Sequence, residues 1–168
     1  MSRKNITFCI AALWMVLALG LIGYKQRILA TGIKVMLETV PVDPRDFLRG
    51  DYVVLRYKIN DANNIPNKSN FRRVDRVYVK LEPRGEYWEA VALKKKSEIE
   101  KGDVVIKGKI QYRQIKYGIE NYFIPEGKGA EIERNMVGRS KVAVEVIVDK
   151  NGNGIINKLF IDGKEIQL

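Results

Sequence analysis

Three sets of residues have types and spacing that could do chemistry. Asp149-Lys-Asn-Gly-Asn-Gly154 repeats the first half of a calcium loop, in which alternating oxygen donors and a sharp glycine turn wrap a hard cation. Such a loop needs a bidentate glutamate at its twelfth position, where this chain has Phe160, and no helical pattern flanks it. Asn-Gly between two apolar runs predicts a hairpin turn instead. Ser140-Lys141 raises serine–lysine catalysis, but neighbours on an extended strand point to opposite faces. More distant lysine partners for Ser69, Ser97 or Ser140 carry little weight in a chain with 30 lysines and arginines. Asp43 and Asp51 bracket Pro44-Arg-Asp-Phe-Leu-Arg-Gly50, which places Arg45 and Arg49 between two carboxylates. That spacing predicts a structured turn feeding a strand, held by arginine–carboxylate pairs, with Gly50 supplying an unusual backbone angle.

What is missing narrows the chemistry further. There is no histidine, which removes the commonest general base and the commonest zinc ligand. The single cysteine, Cys9, lies in an apolar run, so a disulfide, thiol catalysis or a cysteine metal cluster beyond that run is excluded. No catalytic residue, cofactor or metal ligand is assigned on these grounds. The net charge is +10, but the two signs are interspersed. Only Lys94-Lys95-Lys96 and Arg72-Arg73 cluster, both beside turns, whereas a nucleic-acid binder concentrates its charge in a stripe. Nucleic acid is therefore not an expected partner. The pattern suits a solvated surface, or one close to anionic lipid headgroups.

The elements that must position these residues begin with a membrane anchor. Ile6 to Tyr24 contains no charged residue, and as a helix it would rise about 28 Å, close to the thickness of a bilayer's hydrocarbon core. Tyr24 marks an interface, and Arg3 and Lys4 predict a cytoplasmic N-terminus, although Lys25 and Arg27 make the flanks nearly symmetric. A cleaved signal peptide ending near Ala18-Leu19-Gly20 and a buried core helix are the alternatives, but the apolar run continues past that site. Residues 1–27 are thus read as tail and anchor, and residues 28–168 as an extracytoplasmic domain at the inner membrane. Lys25 to Gly32 is a connector too short to let the domain roam.

Beyond the anchor the chain reads as strands. The expected runs are Ile33–Val40, Asp51–Ile59, Val74–Leu81, Tyr87–Leu93, Val104–Tyr112, Tyr117–Ile124, Lys141–Val148, Ile155–Ile161 and a last short strand after Asp162-Gly163. Asp61–Asn70 reads as a loop, Pro83–Glu86 as a hairpin turn, and Gly127–Met136 as one short helix. The fold expected is mainly β, an antiparallel β-sandwich or barrel-like domain with one N-terminal transmembrane helix and at most one short helix besides. Val53, Leu55 and Tyr57 share one strand face with Asp51, while Tyr52, Val54 and Arg56 share the other. A stripe of that kind usually builds core.

Gly50-Asp-Tyr-Val-Val-Leu-Arg-Tyr57 resembles the signature of the GDYXXLXY protein family, and Pro41-Val-Asp-Pro-Arg-Asp46 is similar to the segment that precedes it. A second block, Tyr117-Gly-Ile-Glu-Asn-Tyr-Phe-Ile-Pro-Glu-Gly127, is similar to that family's Tyr-Gly-x-x-x-Tyr-Phe-x-Pro-Glu-Gly. The resemblance runs from about Ile33 to the C-terminus. It implies a membrane-anchored bacterial protein, with a multi-spanning membrane protein as partner, and carries no established activity. It also implies a motif groove of Asp43, Pro44, Arg45, Arg49, Gly50, Asp51, Tyr52, Leu55 and Tyr57 from the first block. From the second come Tyr117, Gly118, Tyr122, Phe123, Pro125, Glu126 and Gly127. A more distant similarity links the layout to type I signal peptidases, where a Ser-Met-x-Pro segment precedes Gly-Asp and a strand. Val42-Asp-Pro44 stands in that place and lacks the serine, so a hydrolase would need other groups. The expected function is an anchored, non-enzymatic domain that binds a membrane partner. An envelope hydrolase and a small-ligand or lipid-headgroup module are the alternatives.

Overall fold

The structure is a computed structural model that describes residues 3–40, 52–67, 71, 76–123 and 141–166. It opens with one 29-residue helix, α1 (Arg3–Thr31), whose long apolar stretch is left exposed by the described residues; Trp14 is 69% exposed. The helix overruns the expected anchor at both ends. Lys25-Gln-Arg-Ile-Leu-Ala contains only residues that tolerate or favour helix, so nothing stops the chain before Gly32. There the N–H of Gly32 donates to Ile28 O at 2.9 Å, and the Thr31 hydroxyl donates to Arg27 O at 2.8 Å. The connector expected between anchor and domain is thus itself helical, and β1 (Ile33–Glu38) begins one residue after Gly32.

The domain is mainly β, and every strand pair is antiparallel. Its strands are β2 (Tyr52–Val54), β3 (Arg76–Arg84), β4 (Tyr87–Lys94), β5 (Val104–Gln111), β6 (Gln114–Lys116), β7 (Asn121–Phe123), β8 (Val142–Val148), β9 (Gly154–Ile161) and β10 (Lys164–Glu165). They form sheets of order β1-β8-β9-β10, β2-β7 and β4-β3-β5-β6, curled into a half barrel. Single bridges, Thr39 to Tyr57 and Asp61 to Gln114, stitch the segment after β2 to both four-stranded sheets. The core between the sheets is aliphatic. Val35, Leu37, Val77, Val79, Leu81, Ile106, Val144, Val146 and Leu159 are all buried, each contributing about 2 kcal/mol by leaving water. Alternation accounts for most of it, because odd residues of β3 and even residues of β5 face inward. On β8 the second face is covered as well. Ala143 and Ile147 are buried, and Ile147 lies at the foot of α1 beside Gly32.

Several elements differ from the sequence reading. The run Asp51–Ile59 is a strand only over Tyr52–Val54 and then tightens into a 3-10 turn at Lys58–Asn60, because Asn60 accepts from the Tyr57 backbone N–H. Among the described residues of the run Tyr117–Ile124 the strand covers Asn121–Phe123, since Glu120 folds the preceding residues into a turn around its carboxylate. Two more 3-10 turns, Ala62–Asn64 and Lys96–Glu98, occupy loops. The short helix expected at Gly127–Met136 lies outside the described residues. The Pro83–Glu86 hairpin stands, with Gly85 at φ +66° turning it.

Candidate functional site

The two sequence blocks meet. Strands β2 and β7 pair with Tyr52 opposite Phe123, Val53 opposite Tyr122 and Val54 opposite Asn121, and Leu55 N–H donates to Glu120 O at 2.7 Å. What they build is a buried polar clasp. The Tyr57 hydroxyl donates to Ile119 O at 2.7 Å, and the Tyr117 hydroxyl donates to Ile59 O at 2.6 Å, so each block's tyrosine holds the other's backbone. Between them Asn60, 2% exposed, accepts from Tyr57 N–H and donates to Ile115 O at 2.6 Å and Glu120 Oε1 at 3.3 Å. The Glu120 carboxylate also accepts from the N–H groups of Tyr117 (2.7 Å) and Gly118 (2.9 Å).

The clasp is chemically quiet. Burial pushes both phenols well above the usual tyrosine range, and the negative charge of Glu120 adds to the rise. The phenolate form of either tyrosine is disfavoured near neutral pH, and no buried side-chain polar atom among the described residues lacks a partner. Val53, Leu55 and Tyr57 form the buried stripe that alternation predicts, with Val54 half-buried and Arg56 exposed. Tyr122 is half-buried against the core, its phenol raised by burial, while Phe123 is 74% exposed. Gly118, at φ +80°, makes the turn that brings Tyr117 inward. Tyr52 is placed by its backbone in β2. Asp43, Pro44, Arg45, Arg49, Gly50, Asp51, Pro125, Glu126 and Gly127 lie outside the described residues.

Asp149-Gly154 folds as the hairpin turn its Asn-Gly pair predicts. Asp149 accepts from the N–H groups of Asn151 and Asn153 at 2.8 Å each and from Asn153 Nδ2 at 2.9 Å, which occupies the oxygens a cation would need. Among the described residues no cluster of three metal-ligating side chains occurs. The turn contacts α1 instead: Asn153 Nδ2 donates to the Tyr24 hydroxyl at 3.2 Å, and Tyr24, Arg27, Ile28 and Thr31 line a cleft with Asp149, Lys150 and Asn151.

Sequence proximity misses a feature on the outer side of the clasp. Register places Arg76 opposite Lys109, and Lys109 opposite Lys116, on three adjacent strands. Lys107 follows on the same face, and all four line a groove of about 290 Å³ with Tyr117, Gly118 and Gly152–Gly154. The alternation Lys107-Gly-Lys109 was a signal that two cations share a face; the cross-strand partners required the register.

A family model described as GDYXXLXY protein matches residues 14–159. No curated protein and no solved structure matches the chain.

Proposed function

The chain belongs to the GDYXXLXY protein family, and from that premise we propose that it is a single-pass, membrane-anchored accessory domain that binds another membrane protein. In this reading the N-terminus is cytoplasmic and the β domain stands on the outer face of the inner membrane. The observation that carries it is the uninterrupted path from α1 into β1. At about 1.5 Å per residue the helix is about 44 Å long, enough to cross the hydrocarbon and emerge through the headgroups. Its foot is fixed by buried Ile28, by Gly32 packed against β8 and by the Tyr24–Asn153 hydrogen bond. A rigid mount of this kind fixes the height and rotation of a docking surface, which a binding module needs and a freely tethered enzyme does not. The apolar surface of α1, left exposed by the described residues, is the natural contact for partner helices.

Purification of the tagged full chain from detergent-solubilised membranes should recover a multi-spanning protein in constant ratio. A monodisperse monomer in several mild detergents would contradict the proposal. Inserting a flexible Gly-Ser linker after Thr31 should abolish recovery of the partner while leaving the domain folded.

A further inference from the structure

The groove beside the clasp gathers four cations on one face, whereas several lysines elsewhere in the domain are matched by carboxylates. Lys80 and Lys94 converge on Asp103, Lys58 meets Glu38, Lys34 meets Glu145 and Lys158 meets Glu165. By contrast, among the described residues no ion pair joins Arg76, Lys107, Lys109 or Lys116 to a carboxylate, although three of them stand directly opposite one another across strands. Like charges so placed oppose pairing of the sheet. Among the described residues, two carboxylates near the groove in sequence are already occupied: Glu120 is bound by Asn60 and two backbone amides, and Asp149 by its own turn. The groove thus holds positive charge that no ion pair among the described residues offsets.

Its position indicates what would neutralise it. Gly152–Gly154 form one wall, and Gly152 O accepts from Lys107 N–H at 2.8 Å. The same turn is hydrogen-bonded through Asn153 to Tyr24, the last residue of the apolar run. If that run fills the hydrocarbon, the turn lies at headgroup height and the groove beside it faces the bilayer surface. We propose that Arg76, Lys107, Lys109 and Lys116 bind the phosphate of an anionic lipid headgroup in the membrane that α1 crosses. The inference rests on the anchored reading above. Multiple cations on one phosphodiester, near a surface that concentrates anions, make a lipid a better-fitting ligand than free phosphate.

The test uses the full chain in a neutral detergent, with native mass spectrometry counting bound phosphatidylglycerol against phosphatidylcholine. The wild type should retain phosphatidylglycerol selectively. A K107Q/K109Q/K116Q variant should bind it roughly a hundredfold more weakly. A K95Q/K96Q/K101Q variant, with the same change in net charge at exposed sites elsewhere, should bind as the wild type does. Circular dichroism of each variant checks that the fold is kept. Equal retention of the two lipids, or equal loss in the two triple variants, would overturn the proposal. Displacement by millimolar inorganic phosphate would overturn the lipid assignment in favour of a soluble phosphate. A failure of lipid selectivity in a chain still extracted only by detergent would sink this inference and leave the anchor standing.

Discussion

The clasp and the groove share Tyr117 and Gly118 of the second sequence block and behave in opposite ways. Inside, Tyr117 and Glu120 bring every polar atom to a partner, with Tyr57 and Asn60 completing the set. Outside, Tyr117 and Gly118 border Arg76, Lys107, Lys109 and Lys116, four cations without a carboxylate partner among the described residues. The first arrangement is what stability selects, because a buried polar group left unpaired costs about 1–3 kcal/mol. The second is what ligand binding selects, because its charges gain little until something anionic arrives. The described part of the family signature is buried scaffold, and the groove beside it is the surface for which lipid binding is proposed.

The sharpest way to break this contrast is at Asn60. Asn60→Ala strands the Tyr57 N–H and Ile115 O in the core, and chemical denaturation should show a loss of about 4 kcal/mol. A loss below about 1 kcal/mol would mean that water reaches the clasp. Next come Tyr57→Phe and Tyr117→Phe, each expected to lose about 1–2 kcal/mol. Because the two hydroxyls brace adjoining segments, the double variant should depart from additivity by at least about 0.5 kcal/mol.

A smaller effect sharpens the comparison between paired and unpaired cations. The hydrogen bond from Lys94 and that from the Glu100 N–H, with Lys80 beside them, hold the Asp103 carboxyl at about 2. Its folded value lies below the unfolded one of about 3.9. Its contribution is therefore complete above about pH 4 and is lost as pH falls toward 2. Asp103→Asn should cost about 1 kcal/mol at pH 7 and flatten that part of the acid stability curve. The smallest change has the opposite sign. Lys109→Glu places an acid between Arg76 and Lys116 and should raise stability by about 0.5 kcal/mol, while it weakens phosphatidylglycerol binding. Stability that falls instead would show that the ladder is not repulsive.

Much of the architecture was legible in the sequence, for reasons the structure makes concrete. The long apolar N-terminal helix and the antiparallel β class follow from apolar length and from period-two alternation. The buried face of Val53, Leu55 and Tyr57 follows from the same alternation. Strand ends were less legible, because side chains decide them: Asn60 and Glu120 capture backbone amides and stop the extended chain. The helical connector went unseen because Lys25–Thr31 carries only the short apolar stretch Ile28-Leu29-Ala30 and otherwise an absence of breakers. Within the candidate site, the meeting of the two blocks was legible and Asn60 was not. It lies three residues beyond the first block and looks like an ordinary loop asparagine. The cationic ladder was hidden for a different reason, since Arg76, Lys109 and Lys116 become neighbours only through strand register.

All of this depends on the domain standing on the bilayer with the turn after β8 at headgroup height. That height can be read directly in the full chain reconstituted into lipid nanodiscs, with Cys9→Ser removing the native thiol. Nitroxides would be attached through Lys150→Cys in the turn and through Lys58→Cys, beyond the far end of β1 from the helix. Paramagnetic accessibility should place the label at 150 among the headgroups and the label at 58 in bulk water. Equal exposure of both labels to a water-soluble relaxant would contradict the account.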